Sequence, residues 1–272
     1  MIKLIAMDMD GTLLSPDHKT VADADKEALI KVHESGIKLA ISTGRTLSTI
    51  GDICSQIPEI DYIIFSNGAG IYDRQAETII YRNNMRPETA EKYLPYIEEK
   101  SGFIEAYIDG IAYALKRAGK DFDYDLIPPV FKAMFGTGVI VTDDFTKVYG
   151  EYGIEKVIFY IADSSVCIEA DKYLRTQPEI FVTSSVGRSI EFTKAGTDKG
   201  DALRALCEYI NAAPEEAMAL GDAGNDIPMI KAAGYGIAME NADEKTKEAA
   251  KFITKTNAEN GVAAAIYKYA LK

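Results

Sequence analysis

Two carboxylates follow the first apolar run of the chain almost at once. Asp8 and Asp10 come directly after residues 3–7, in the segment Asp8-Met9-Asp10-Gly11-Thr12. At the carboxyl end of a strand in a parallel α/β sheet, both side chains are expected to face the ligand crevice. Paired carboxylates are costly unless a cation lies between them, and their hard oxygen atoms favour Mg²⁺ together with a phosphate. A solvated Asp-Gly turn is the simpler alternative.

A second candidate segment, Ser42-Thr43-Gly44-Arg45, ends another apolar run. A hydroxyl group, a flexible backbone and free N–H groups at the start of a helix can together bind an anion such as phosphate. A Ser-Thr-Gly run suits a helix N-cap and a turn equally well. Taken alone, this segment is therefore a weak indication of a phosphate site.

Two later segments add a cation and further carboxylates. Lys199 begins an expected helix, where a positive charge opposes the helix dipole and is locally unfavourable. Asp222 and Asp226 follow the apolar run 217–220, again before an expected helix. A solvated lysine and a loop with a helix cap would explain each segment singly. All of them, however, lie at strand-to-helix junctions of one sheet face, where Asp222 would complete a metal site with Asp8 and Asp10.

The elements that must position these residues follow a βα rhythm in the first and last thirds of the chain. This rhythm predicts an α/β fold, with a parallel sheet, helices on its faces and right-handed crossovers. We expect a helix after Thr20, with that residue as its N-cap. We further expect strands at 3–7, 37–42, 62–65, 217–220, 235–239 and 251–254, a hairpin at 70–82, and helices at 45–57, 199–211, 226–233, 241–250 and 262–271.

The middle of the chain has a different pattern. Residues 84–188 contain a helical stretch at 87–100, then short strand and helix patterns with frequent tyrosine and phenylalanine. We interpret this range as a separate α+β module inserted between the two halves of one α/β domain.

Composition excludes several classes of protein. The chain has 272 residues, 47% of them hydrophobic, so it can bury a core without disulfides or a structural metal. Its formal net charge of −12 argues against nucleic acid or an anionic membrane surface as a partner. No apolar run approaches the roughly 20 residues of a membrane span, and no signal peptide is evident. Three scattered cysteines indicate a reducing, cytoplasmic location.

Taken together, the four chemical segments resemble the motifs of the haloacid dehalogenase superfamily. Their order, with a large insertion between the second and third, is similar to that of the Cof-type sugar-phosphate phosphatases, whose α/β cap is called C2B. The resemblance covers nearly the whole chain and includes Ser66-Asn67-Gly68-Ala69. It implies a Rossmann-like catalytic core at 1–83 and 189–272 and a C2B-type cap, which selects the substrate, at 84–188.

The resemblance also implies a reaction, the Mg²⁺-dependent hydrolysis of small phosphorylated metabolites such as sugar phosphates. Asp8 would be the nucleophile that forms an aspartyl phosphate. Asp10 would protonate the leaving alcohol and then activate water. Mg²⁺ would be bound by the side chains of Asp8 and Asp222 and by the main-chain carbonyl of Asp10.

Further residues take implied roles around the phosphate. Asp226 would orient Lys199 or a metal-bound water, and Arg45 and Asn67 are candidate substrate contacts. The residues implied to contact the phosphate itself are Met9, Thr43, Gly44, Lys199 and Asn225.

Several questions stay open at this point. A phosphomutase on the same scaffold, like the phosphomannomutases, and a non-enzymatic sensor of a phosphometabolite are alternatives to a phosphatase. The protein is expected to be a monomer or a weak homo-oligomer. His18 and His33 are expected at the surface. The aromatic side chains of the module would stack on a sugar or, more commonly, pack in its core: Tyr107, Tyr113 and Tyr124.

Overall fold

The computed structural model describes residues 1–116, 138–148, 150, 152–184 and 188–271. The chain forms two compact units. The first unit comprises Met1–Gly44, Ile50–Tyr81 and Asp198–Lys272. The second comprises Arg45–Thr49 and Arg82–Thr197.

The strands of the described residues are, in chain order, β1 (Leu4–Met7), β2 (Lys38–Ser42), β3 (Tyr62–Phe65), β4 (Gly70–Asp73), β5 (Thr78–Arg82), β6 (Phe103–Ile108), β7 (Ile111–Leu115), β8 (Val139–Thr142), β9 (Lys156–Tyr160), β10 (Ile180–Ser184), β11 (Ser189–Lys194), β12 (Ala217–Gly221), β13 (Tyr235–Ala238) and β14 (Phe252–Ile253). The helices are α1 (Asp23–Glu34), α2 (Gly51–Cys54), α3 (Pro87–Lys100), α4 (Ser164–Arg175), α5 (Lys199–Tyr209), α6 (Ile227–Ala232), α7 (Glu244–Ala249) and α8 (Gly261–Tyr269).

One sheet organises the first unit. Its strand order is β14-β13-β12-β1-β2-β3-β4-β5. The pairs from β14 to β3 are parallel, and β4 runs antiparallel to β3. Every residue of the central strand β1 is buried, as an apolar run covered on both faces requires. The expected α/β fold, with a central parallel sheet flanked by helices, is confirmed.

Helices cover this sheet through apolar side chains. Leu203 and Leu206 of α5 and Met229 of α6 pack in one cluster with Leu4 and Ala6 of β1. Elsewhere in the unit, α1 packs against α8. Among the described residues, no helix combines the length and the apolar character that crossing a bilayer would require.

Two of the expected helix features are wrong. The first helix begins at Asp23, because the Thr20 hydroxyl donates to Asp17 (2.7 Å) in the preceding turn instead of capping the helix. Residues 45–57 form only a single turn at Leu47–Thr49 and the short α2. The continuous helix fails because the Ser48 N–H donates to the carbonyl of Gly110 (2.8 Å), far along the chain.

A second sheet organises the other unit, in the order β10-β11-β9-β6-β7-β8. Its neighbours are antiparallel except for the parallel pair β7–β8. One face packs against α3 and α4, with a core that includes Ala90, Ile97, Leu174, Ala106 and Phe159. The opposite face carries a smaller apolar cluster of Phe103, Tyr107, Ala112, Ala114 and Ile158.

The limits of this second unit differ from the range 84–188. Strand β11, at Ser189–Lys194, pairs with β9 and β10, because its alternate residues Ile190 and Phe192 belong to the helix-covered core. Tyr107 is buried on the opposite face, and Tyr113 packs half-buried against the helix-covered core. Tyr124 lies outside the described residues.

Candidate active site

A wide turn after β1 positions the first acidic residue. The amide of Asp8 donates to the Leu220 carbonyl of β12 (3.0 Å), and the Asp8 carbonyl accepts the amide of Leu13 (3.2 Å). Within the turn, Gly11 has a φ of +85°, and a Cβ atom there would collide with the carboxylate of Asp222. Glycine is therefore required for the chain to turn while that carboxylate approaches it.

Lys199 joins two acidic side chains in the interior of the first unit. Its Nζ lies 2.6 Å from Asp8 Oδ1 and 2.6 Å from Asp226 Oδ1, and its side chain is 0% exposed. Asp198 is the N-cap of α5, and its carboxylate accepts the amides of Gly200 and Asp201 at 2.8 Å each. This cap satisfies the start of the helix, so the opposition of Lys199 to the helix dipole is offset by two buried ion pairs.

The loop after β12 brings the remaining carboxylate into place. Asp222 Oδ1 accepts a hydrogen bond from the Thr12 hydroxyl at 2.9 Å. Asp226 Oδ2 accepts the backbone amides of Asp222 (3.0 Å) and Ala223 (3.1 Å). These two hydrogen bonds fix the conformation of the loop that carries Asp222. The sequence interpretation did not single out Thr12, although its place in the Asp-Gly-Thr turn was a usable signal.

The site brings together three carboxylates, of Asp8, Asp222 and Asp226, and a single ammonium group, that of Lys199. Burial raises the pKa of Asp8 well above its usual range, and the charge of Asp226 adds to that effect while Lys199 opposes it. Burial also raises the pKa of Asp222 to about 6, with Asp226 adding and the Thr12 hydrogen bond opposing. Burial alone would lower the pKa of Lys199, but the carboxylates of Asp226 and Asp8 raise it above its ordinary value. A further cation would stabilise the ionised carboxylates.

The residues present fit a divalent metal. One carboxylate oxygen from each of Asp8, Asp222 and Asp226 lies within 4.8 Å of the others. An all-oxygen set next to a single ammonium group suits a hard dication such as Mg²⁺. Both oxygens of Asp226 already accept hydrogen bonds, from Lys199 and from backbone amides. Asp8 and Asp222 are therefore the better placed ligands.

A second group of expected residues converges beside β2 and β3. The backbone amide of Asn67 donates to the Thr43 carbonyl (3.0 Å). The side-chain amide of Asn225 donates to Asn67 Oδ1 (3.1 Å). A Cβ atom on Gly44 would lie only 2.9 Å from Asn67 Oδ1, so glycine permits this close approach. Asn67 itself has a φ of +57°, a conformation that asparagine tolerates better than most residues.

The sequence of the chain matches the family model for haloacid dehalogenase-like hydrolases over residues 5–266. The chain belongs to this family. A curated relative, the 5-amino-6-(5-phospho-D-ribitylamino)uracil phosphatase YcsE of Bacillus subtilis, is 32% identical over 99% of this chain and 96% of its own. An HMP-PP phosphatase of Cronobacter sakazakii is 29% identical over 89% of this chain and 85% of its own.

A solved structure supports the same assignment. A haloacid dehalogenase-like hydrolase from Bacteroides thetaiotaomicron is 30% identical, with a TM-score of 0.84 over 98% of this chain and 99% of that one. The family resemblance inferred from the four motifs is thus confirmed for this haloacid dehalogenase-like hydrolase.

Other expected residues are placed less directly. The side chain of Asp10 is half-exposed, and His18 Nδ1 lies 3.3 Å from its Oδ1. His18 was expected at the surface; it is exposed, but its contact with Asp10 had no signal in the sequence. Met9 is buried, and its carbonyl accepts the amide of Leu14 at 2.8 Å. Arg45 belongs to the second unit, where its charge acts on Tyr107.

Proposed function

We propose that the protein is a Mg²⁺-dependent phosphomonoester hydrolase that forms an aspartyl phosphate on Asp8. The observation that carries this proposal is the buried Lys199, whose ammonium group lies 2.6 Å from Asp8 beside the carboxylate of Asp222. The names of the relatives, which are phosphatases of small phosphorylated metabolites, support this class of substrate. The family assignment supports the reaction type.

The electrostatics of the first unit suit such a reaction. A carboxylate that approaches a phosphate dianion is repelled, at a cost of about 4 kcal/mol for two unit charges 4 Å apart at an effective dielectric of 20. Lys199 offsets part of this repulsion because it is fixed against Asp8 before any substrate arrives. Mg²⁺, when bound by Asp8, Asp222 and the main-chain carbonyl of Asp10, would supply two more positive charges for the phosphate oxygens.

Asp8 and Asp10, the two acidic residues after β1, carry out the chemical steps. An oxygen of Asp8 attacks phosphorus and the ester P–O bond breaks, while Asp10 gives a proton to the departing alkoxide. Asp10 then takes a proton from water as the water oxygen attacks phosphorus. The bond between phosphorus and the Asp8 oxygen breaks, which frees the Asp8 carboxylate and releases inorganic phosphate. The Asn67 and Asn225 pair and the backbone near Thr43 and Gly44 would position the phosphate oxygens.

The second unit, the cellular location and the oligomeric state complete the proposed function. We propose that the second unit is the cap that selects the substrate, with limits near residues 82–197. The cytoplasmic location and a monomer or weak homo-oligomer stay predictions. A phosphomutase would isomerise its substrate without releasing phosphate, and a sensor would bind a phosphometabolite without any turnover.

The proposal is tested by phosphate release from a panel of phosphorylated sugars, nucleotides and cofactors, with and without Mg²⁺. The panel includes 5-amino-6-(5-phospho-D-ribitylamino)uracil. We expect Mg²⁺-dependent release that Asp8→Asn abolishes without a change in the circular dichroism spectrum. Asp10→Asn should still label Asp8 slowly but lose steady-state turnover. Retained activity in Asp8→Asn would refute the nucleophile, and isomerisation without phosphate release would favour a mutase.

A further inference from the structure

A tight loop follows the turn that carries Asp10. At the base of this loop, Leu14 and Val21 form an antiparallel bridge. Inside the bridge, the Ser15 amide donates a hydrogen bond to the carbonyl of Thr20 (2.8 Å). The chain therefore leaves the Asp-Gly turn, folds back on itself and returns beside its starting point before α1 begins.

Hydrogen bonds inside the loop fix the conformation of His18. Its amide donates to the Ser15 carbonyl (2.9 Å). On the other side of it, Asp17 Oδ1 accepts the amides of Lys19 and Thr20 at 2.9 Å each. His18 itself has a φ of +57°, a region in which histidine is found more often than most other residues that carry a side chain. The loop thus determines where the imidazole ring leaves the main chain.

Side chains from two other parts of the first unit fasten the loop. Gln56 Oε1 accepts the Val21 amide (3.0 Å), and Gln56 Nε2 donates to the Lys19 carbonyl (2.8 Å). Asn257 Nδ2 donates to the Leu14 carbonyl at 2.8 Å. All of these residues belong to the first unit. The loop is therefore held against the body of the unit that contains the candidate active site.

The fastened loop brings His18 to the candidate acid–base carboxylate. His18 Nδ1 lies 3.3 Å from Asp10 Oδ1, and the two side chains are 64% and 39% exposed. An exposed pair of this kind adds little to stability. A carboxylate that faces solvent can adopt several side-chain orientations, however, and only some of them suit proton transfer to a bound ester. A contact that restricts these orientations therefore matters more for catalysis than for folding.

We propose that His18 is a positioning residue for Asp10, which it holds in the orientation that proton transfer to the leaving group requires. This inference rests on the proposed function. The imidazole, in the tautomer with a proton on Nδ1, donates a hydrogen bond to Asp10 Oδ1. The proton that Asp10 gives to the departing oxygen is then carried on Oδ2, and it moves as the ester P–O bond breaks. His18 keeps its own proton throughout, so its role is geometric.

The test compares two aryl esters of similar size, phenyl phosphate and p-nitrophenyl phosphate, in the full chain with Mg²⁺ at neutral pH. Phenolate is the poorer leaving group, so its departure depends on a proton from Asp10, whereas p-nitrophenolate departs readily without one. Glycine tolerates the φ of +57° at position 18 and removes the ring. We therefore expect His18→Gly to lower kcat/KM for phenyl phosphate about fivefold and for p-nitrophenyl phosphate less than about twofold.

A conservative variant and a neighbouring control separate positioning from damage to the loop. His18→Asn keeps an N–H donor near the place of Nδ1, and asparagine tolerates the same backbone conformation. This variant should keep kcat/KM for phenyl phosphate within about twofold of wild type. Lys19→Ala removes an exposed side chain of the same loop and should leave kcat/KM for both esters unchanged.

The outcomes also distinguish this inference from the proposed function. If wild type hydrolyses both esters and His18→Gly loses no activity on phenyl phosphate, the inference is overturned and the proposed function stands. Equal losses on both esters, or a loss on phenyl phosphate that His18→Asn does not rescue, would overturn it as well, because each indicates a damaged loop. If wild type hydrolyses neither ester, the proposed function fails, and this inference fails with it.

Discussion

Replacement of Lys199 by methionine removes the ammonium group that contacts both Asp8 and Asp226. Each contact spans 2.6 Å, so at an effective dielectric of about 20 each contributes roughly 6 kcal/mol of Coulomb energy before desolvation is counted. Desolvation of a wholly buried lysine offsets much of this energy. Breaking such a pair from one side leaves carboxylates buried without their partner, and we expect Lys199→Met to lower the free energy of unfolding by about 3–5 kcal/mol.

The assay is urea denaturation at neutral pH in the absence of Mg²⁺, followed by circular dichroism. Lys231→Met, on the exposed side of α6, is the control and should change the free energy of unfolding by less than about 0.5 kcal/mol. Adding Asp226→Asn to Lys199→Met should recover part of the loss, because one buried carboxylate is then neutral. A loss below about 1 kcal/mol for Lys199→Met, or strict additivity in the double variant, would refute this account of the charge balance.

Three further substitutions test other parts of the first unit. Thr12→Val should weaken Mg²⁺ binding about tenfold, measured by calorimetry, because the hydroxyl that orients Asp222 is lost. Gly11→Ala should lower the free energy of unfolding by about 1–3 kcal/mol in urea, because its φ is +85°. Asp25 accepts the amide of Ala263, and burial raises its pKa from 3.8 to about 6, so its ionisation destabilises the fold as the pH rises. Relative to wild type, Asp25→Asn should gain about 2.4 kcal/mol of stability between pH 4 and pH 8, whereas a pH-independent difference would contradict this.

The elements that sequence predicts well are those decided by local pattern. Strand β3 was expected at residues 62–65 and α3 at residues 87–100, and both occur with those limits. A short, fully buried apolar run between turns can form little other than a central strand. Pro87 at the first position of α3 marks the start of that helix in the sequence itself.

The elements that sequence predicts badly are those decided by distant partners. The continuous helix expected at 45–57 is interrupted, leaving a single turn and the short α2, because the Ser48 N–H donates to the carbonyl of Gly110, some 60 residues later. Strand β11 belongs to the second sheet because of its pairing with β9, which no local pattern of residues 189–194 reveals. The contact between His18 and Asp10 likewise depends on a loop conformation, with a φ of +57° at His18.

The residues of the candidate site also differ in whether local sequence or distant packing decides their position. The four acidic and glycine-rich segments were visible because strand ends in a parallel sheet must share an edge. The buried position of Lys199 between two acids follows from the packing of α5, and composition gives no measure of it. The buried group of Glu105, Lys156 and Glu191 in the second unit had no sequence signal, because single charged residues in alternating strands are typical of a solvated face.

Buried acidic side chains in the two units differ in whether they lack a positive charge or a hydrogen-bond donor. In the first unit, every oxygen of Asp226 is matched by Lys199 or by backbone amides, while the surplus negative charge of Asp8 and Asp222 calls for a cation. In the second unit, Lys156 is paired with Glu191, while Glu105 Oε1 is buried and accepts no hydrogen bond from the described residues. Mg²⁺ should therefore raise the melting temperature of a Glu105→Leu variant as much as that of wild type, because Glu105 belongs to the second unit and the acids that would bind Mg²⁺ belong to the first.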